Sequence, residues 1–319
     1  MQNSDDYMEM NNSSNPLVSV VVLTYNSSAT VLETLDSIKN QTYKNIELII
    51  TDDASKDNTV SLCNKWIDAN VERFVQAKVV TSKINTGISA NANRGCFASH
   101  GEWIKIIAGD DRLLPNCLDS YIKWVKLNPG YDIVFSKVIG FGALDSVAAK
   151  KCRWMDCHLV FEKLSKKEFI TVLCFLNFLP AASAFFKKES FDALGGYDES
   201  IPFVEDWPFW LKALSKCFSI GFNNDFTTEY RFSKQSISQQ GSNNKNPLFA
   251  ESSEMASTYA HNMLKQIGTG AFFYKITTYN DFKYNSLLWK IIHSFNVLNP
   301  FFYYKKCTLR KFDSLLNKS

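Results

Sequence analysis

The 319-residue chain lacks the features that mark an exported protein. Its eight cysteines, Cys63, Cys96, Cys117, Cys152, Cys157, Cys174, Cys217 and Cys307, include no Cys-x-x-Cys pair. Most lie in apolar contexts, where reduced core thiols are expected, and a cytoplasmic setting follows. The stretch "CRWMDCH" (152–158) has zinc-ligand types but no second ligand pair, so ordinary loop residues are expected there. The opening residues 1–15, "MQNSDDYMEMNNSSN", contain no basic or apolar segment of a signal peptide and suit a disordered polar terminus. Long apolar runs are missing too. The nearest, "FITVLCFLNFLPAASAFF" (169–186), is broken by Asn177 and Pro180 and reads as a helix followed by a buried strand. Nor does charge of one sign accumulate. A net charge of +3 is too weak a balance for a nucleic-acid binder. No internal repeat is present.

What the chain has is a core and a rhythm. Hydrophobic residues make up 45%, enough for one large or two modest domains. "VSVVVLTYN" (18–26) is an unbroken apolar run of the kind buried on both faces of a sheet. Residues 27–40 follow with Val31, Leu35 and Ile38 at helical spacing, and Ser27 and Ser28 stand as candidate caps. "IELIITDD", "QAKVVTS" and "EWIKIIA" repeat the strand pattern, with helical segments at "DNTVSLCNKWID" and near 88–99 between them. A helix from about Pro115 and the strand "YDIVF" come next; Pro208 suits the first turn of a later helix, and helices are expected from about 245. Strand–helix alternation predicts an α/β fold with a mainly parallel, Rossmann-like sheet flanked by helices.

In such sheets ligands bind beyond the carboxyl ends of the strands. The polar residues gather there: Thr24, Tyr25 and Asn26 after the first strand, Asp52 and Asp53 after the second, Asp110 and Asp111 after the fourth. Two adjacent carboxylates at the end of a hydrophobic strand are costly unless something positive meets them. Hard cations such as Mg²⁺ or Mn²⁺ take oxygen ligands of this kind, with phosphates and water completing the shell. A single Asp pair also serves as an ordinary turn, so it is the convergence of three strand ends that points to a site.

Four segments in order, "VSVVVLTYN", "IELIITDDASKDNT", "NTGISANANRGCFASHGEWIKIIAGDD" and "GGYDESIPFVEDWPFWLKAL", resemble the successive motifs of family 2 glycosyltransferases, over roughly residues 16–235. The resemblance implies the GT-A fold and an inverting, metal-dependent enzyme that uses a nucleotide-sugar donor, a UDP-sugar in the first instance. It implies a catalytic domain at 16–235 and a C-terminal helical region at 236–319. Thr24, Tyr25 and Asn26 match positions lining the nucleotide pocket, and Asp53 matches the carboxylate that accepts from the uracil ring. Asp111 matches the ligand of Mn²⁺ or Mg²⁺, with Asp110 beside the ribose and the metal shell. Glu205 and Asp206 match the acidic pair on the acceptor side, with Asp206 as general base. Arg231 falls where a basic residue near the diphosphate is common. Two positions depart from the family. Ala92 replaces an arginine that helps hold the nucleotide, leaving Asn93 in place and Lys83 as a candidate substitute. Ser233 stands where the family has a histidine.

The acceptor implied is a hydroxyl of a saccharide or lipid-linked saccharide, in bacterial surface-polysaccharide assembly. The C-terminal stretch, with Trp289, Phe301, Phe302, Tyr303 and Tyr304 beside Lys305, Lys306, Arg310 and Lys311, suits either packing on the catalytic domain or a peripheral contact with the anionic inner face of the membrane. Two rival readings are weighed. A phosphoacceptor receiver domain would be much shorter and would leave Glu205 and Asp206 without a role. A sugar-nucleotide-binding protein without catalysis would lack the base or the metal ligand, and both are present.

Overall fold

The computed structural model describes residues 15–143, 157–233 and 247–266. Its centre is an eight-stranded sheet: β1 Val18–Thr24, β2 Ile46–Asp52, β3 Gln76–Thr81, β4 Trp103–Ala108, β5 Arg112–Leu113, β6 Ile133–Gly142, β7 Phe185–Lys187 and β8 Ile220–Phe232. The spatial order is β3-β2-β1-β4-β7-β6-β8-β5. Strands β3, β2, β1 and β4 run parallel, as the alternating pattern predicts. Beyond β4 the sheet becomes mixed. Strand β7 pairs antiparallel with both β4 and β6, β6 and β8 are parallel, and β5 closes the edge antiparallel to β8.

The helices are α1 Val31–Lys39, α2 Thr59–Asn70, α3 Ile88–Phe97, α4 Cys117–Leu127, α5 His158–Lys163, α6 Lys166–Phe175, α7 Lys188–Leu194, α8 Asp206–Ser215 and α9 Pro247–Gln266. They cover both faces, which explains the continuous apolar runs. Successive side chains of a strand point to opposite faces. Val20 and Val22 enter one core with Leu35, Ile38, Cys63 and Tyr121, while Val21 enters the other with Ala92, Phe191 and Trp210. Ala260, Met263 and Leu264 of α9 belong to that second core, so α9 is built onto the sheet domain.

Several local expectations are revised. Helix α1 begins at Val31 behind Thr30, and Ser27 contributes its carbonyl, which accepts from Thr30 N and Val31 N, rather than a side-chain cap. The run 169–186 is, as expected, a helix (α6) followed by a buried strand (β7), with a 3₁₀ turn at Ala181–Ser183 between them. Ser165 and Glu168 form a reciprocal capping box at the start of α6. Among the described residues no helix is long and apolar enough to cross a membrane. Strand β8 was not expected at all. Its segment "NNDF" breaks the alternation, and the pairing with β6 shifts register twice, between Ser136 and Lys137 and between Lys137 and Val138. Cys63, Cys96, Cys117, Cys157 and Cys174 are buried free thiols and Cys217 is exposed. Cys152 and the tail from Trp289 onward lie outside the described residues.

Candidate active site

The loops that follow β1 and β2 are tied together before any ligand arrives. Thr24 is buried, and its hydroxyl donates to Asp52 Oδ2 at 2.9 Å. The same carboxylate accepts from Ser55 N at 2.9 Å and Ser55 Oγ at 2.6 Å. Asn26, in the left-handed region at φ 52°, donates its backbone N–H to Ser55 Oγ and accepts from Lys56 N. Asparagine tolerates that conformation better than most residues. Tyr25 between them is 47% exposed, so its ring faces outward from the β1 end.

Asp53 is almost fully buried. Its Oδ2 accepts from Thr86 N (2.9 Å) and Gly87 N (2.8 Å), and its Oδ1 from Thr86 Oγ1 (2.6 Å) and Arg94 (3.3 Å). An ionised carboxylate has about four acceptor sites, and here four donors fill them. Asp53 therefore clasps the loop after β3 onto the end of β2. Gly87 makes this possible: at φ 89° its absent Cβ would stand 2.7 Å from Pro202 Cβ.

At the end of β4, Gly109 passes so close to β1 that a Cβ would lie 2.9 Å from Thr24 Cγ2. Thr30 Oγ1 donates to the Gly109 carbonyl at 2.8 Å and Thr34 Oγ1 to that of Asp111 at 2.7 Å, so the first turn of α1 supports the loop from beneath. Asp111 is 2% exposed and Asp110 half-buried. Burial pushes both carboxyls above the usual range; for Asp111 the neighbouring Asp110 charge pushes further. The positive partner comes from far along the chain. Arg231 of β8 donates its backbone N–H to Asp111 Oδ1 at 2.8 Å and its Nε–H to the Asp110 carbonyl at 2.7 Å, and its guanidinium reaches Glu33 at 2.5 Å. Phe141 is sandwiched between Arg231 and Arg112, 4.4 and 4.1 Å from ring centroid to guanidinium carbon. Lys105 lies fully buried in β4, where desolvation lowers its ammonium to about 8. Its Nζ donates to the carbonyls of Ile106 and Ala182, each at 2.7 Å.

The second acidic pair stands at the mouth of α8, with Glu205 as the residue before the helix and Asp206 its first. Asp206 accepts from Asn177 Nδ2 at 2.8 Å and from Trp207 N. Burial, with the Asp206 charge beside it, pushes the Glu205 carboxyl up to about 8. The loop leading to this pair is fixed to the start of α3, because Ser89 donates its N–H to the Pro202 carbonyl (3.2 Å) and its hydroxyl to that of Ile201 (2.5 Å). Thus the ends of β1, β2, β3, β4 and β8 and the start of α8 form one connected rim.

Two expected residues lie elsewhere. Asn93 is buried and spends its amide on Tyr197 N, Tyr197 O and Glu199 Oε1, stapling α3 to the 197–199 turn instead of facing the rim. Lys83 is exposed in the loop after β3. Ala92 is completely buried, so an arginine there has no room, and it is Arg94 that brings a guanidinium to Asp53. Sequence reading passed over Arg94. The available signal was its helical i, i+3 spacing from Asn91, whose Oδ1 accepts from Arg94 at 2.8 Å. Among the described residues no group of three or more His, Cys, Asp or Glu side chains gathers around one point.

Comparison with known proteins agrees with this architecture. Relatives include EpsE of Bacillus subtilis, whose glycosyltransferase name is provisional, at 31% identity over 40% of this chain and 45% of its own length. An uncharacterized glycosyltransferase of Methanocaldococcus jannaschii, MJ1057, is 26% identical over 68% of this chain and 71% of its own. Similar solved structures include S. aureus TarS 1-349 in complex with UDP-GlcNAc (TM-score 0.57, 16% identity, 79% of this chain and 71% of that one). Another is the mannosyltransferase PcManGT of Pyrobaculum calidifontis with GDP-Man and Mn²⁺ (TM-score 0.53, 16% identity, 96% and 87%). These share the curled, helix-flanked GT-A sheet. The model of glycosyl transferase family 2 matches residues 19–195, more than half of the sequence, and the chain belongs to that family.

Proposed function

We propose that this protein is an inverting, metal-dependent glycosyltransferase that moves a sugar from a nucleotide-sugar donor, a UDP-sugar in the first instance, to a hydroxyl of a saccharide or lipid-linked saccharide acceptor. The observation that carries this reading is the acidic pair Asp110–Asp111 at a strand end, with Asp111 buried and Asp110 half-buried, closed by Arg231 on the same rim as Glu205 and Asp206. Solved neighbours hold UDP-GlcNAc, UDP or GDP-Man, which supports a donor of this class.

The residues present fit a hard divalent cation. Asp111 has one oxygen on the Arg231 N–H, and among the described residues no donor reaches the other. An all-oxygen set of one or two carboxylates is what Mg²⁺ or Mn²⁺ takes beside a diphosphate. Such an ion, held by Asp111 and Asp110, would supply Lewis-acid stabilisation of the departing diphosphate. Arg231 fixes the Asp110–Asp111 loop and adds positive charge beside it. Thr24, Tyr25 and Asn26 line the nucleotide side of the rim.

Asp206 takes the proton of the attacking hydroxyl as general base. Burial, with the Asp206 charge beside it, raises the Glu205 carboxyl, which favours its protonated form next to the proposed base. Attack from the side opposite the diphosphate inverts the anomeric carbon. The test is Asp206→Asn. It is expected to bind nucleotide sugar normally and to transfer about 10²–10⁴-fold more slowly. Lost donor binding with transfer intact at saturation would make Asp206 a binding residue.

The catalytic unit spans 16–235 in this reading, and α9 (Pro247–Gln266) packs onto it. Peripheral attachment to an anionic membrane face through the tail, and a role in surface-polysaccharide assembly, belong to the same proposal.

A further inference from the structure

Arg231 stands beside two carboxylates, yet its charged end is turned to a third. Its backbone N–H goes to Asp111 Oδ1 and its Nε–H to the Asp110 carbonyl, while terminal Nη2 lies 2.5 Å from Glu33 Oε2. Among the described residues no ion pair joins the Arg231 guanidinium to the Asp110 or Asp111 carboxylate. Electrostatics alone favours the opposite arrangement, because a guanidinium next to a carboxylate takes it in a two-pronged pair. Something holds this guanidinium off.

The stack on Phe141 is not enough. A planar guanidinium can turn in its own plane and keep its ring contact, so the ring fixes the plane and not the direction of the terminal nitrogens. Glu33 fixes the direction. It lies in the first turn of α1, between Thr30 and Thr34, whose hydroxyls donate to the carbonyls of Gly109 and Asp111. Its carboxylate is therefore held in place relative to the acidic loop. Glu33 also lies 3.7 Å from Arg112, which packs on the other face of Phe141 and pairs with Glu229 at 2.9 Å. One carboxylate, 51% exposed, thus spans both guanidinium groups. Gly142 lets β6 close on β8 at this point: at φ 88° its absent Cβ would stand 2.7 Å from the Phe232 carbonyl.

Resting on the glycosyltransferase reading above, we propose that Glu33 is a positioning residue that holds the Arg231 guanidinium away from Asp110 and Asp111 and so keeps their oxygens open to a divalent cation. Without Glu33 the terminal nitrogens turn to the acidic pair and occupy the oxygens that Mn²⁺ or Mg²⁺ takes.

Uptake of Mn²⁺ by the full chain, alone and beside UDP, tests this through the electron paramagnetic resonance signal of the free ion. The variants are Glu33→Ala, Arg231→Met and the two together, with circular dichroism as a check on folding. Glu33→Ala should weaken Mn²⁺ by about tenfold when Arg231 is present and have little effect when it is Met, as for two groups of one charged network. Glu33→Gln keeps an acceptor oxygen and should lose less than Glu33→Ala. An equal loss in both backgrounds overturns the proposal in favour of direct attraction between the Glu33 charge and the ion. No loss in either overturns it as well. If Glu33→Ala fails to fold, Glu33→Gln carries the test, and a wild-type affinity in that variant is contrary. Release of UDP or GDP from nucleotide sugars is followed on the same wild-type sample. Release without the Arg231-dependent loss overturns the inference alone. A wild type that neither takes up Mn²⁺ nor releases nucleotide overturns the glycosyltransferase reading, and the inference with it.

Discussion

Asp111 and Glu205 show most directly how burial sets chemistry in this site. A carboxylate 2% exposed, with another carboxylate next in sequence, is stable as an anion only when positive charge is near. Arg231 supplies part of that charge, and a bound cation would supply the rest. Asp111→Asn is therefore expected to fold normally and to lose transfer by about a hundredfold or more, measured as product formation with Mn²⁺ or Mg²⁺. Glu205 gives a pH prediction with a definite sign. Its folded value near 8 lies above the ordinary 4.5, so the folded chain binds this proton more tightly than the unfolded chain. Its contribution to stability is complete below about 4.5 and is lost as pH rises toward 8. Urea denaturation of wild type and Glu205→Gln at pH 5 and pH 9 measures it. The variant should lose less stability than wild type between the two, and an equal or greater loss would remove burial as the cause.

At the scale of elements, the close approaches between loops are where the site is set. Gly87 holds φ 89° against Pro202 and joins the Asp53 clasp to the loop that carries Glu205 and Asp206. Gly87→Ala should cost about 1–3 kcal/mol in urea denaturation through strain alone, and should weaken donor binding as well. A neutral effect on both would mean that the two loops are not coupled through this contact. The parallel strands were legible in the sequence because their burial on both faces writes an unbroken apolar run, as in "VSVVVLT". The acidic strand ends were legible because chemistry of that kind is sparse in a core. Strand β8 was not, since its bulge hides the period, and with it went the reason that Arg231 meets Asp110 and Asp111. Asn93 and Arg94 are adjacent polar residues of one helix, and only packing tells which faces the rim. Asn93 turns to the Tyr197 turn and Arg94 to Asp53. Spacing from Asp53 in the chain carried no such information.

For the molecule as a whole, a sheet half parallel and half mixed brings a rim together from residues as distant as Glu33 and Arg231, 198 positions apart. The tail beyond Gln266 carries a separate prediction from composition. Each Lys or Arg near an anionic surface contributes about 1 kcal/mol, so Lys305, Lys306, Arg310 and Lys311 favour salt-sensitive, reversible attachment. Ending the chain before Phe301 should release it from anionic liposomes while transfer to a short soluble acceptor persists. Full-length protein that ignores such liposomes at low salt would exclude the attachment. The central claim is that the rim around Asp110 and Asp111 transfers a sugar from a nucleotide donor with the help of a divalent ion. The measurement closest to it is release of UDP or GDP from a panel of nucleotide sugars by wild type and Asp111→Asn, with Mn²⁺ or Mg²⁺ and in chelator. Release that requires the ion and falls in the variant is the predicted result; full turnover in chelator, or by Asp111→Asn, would contradict it.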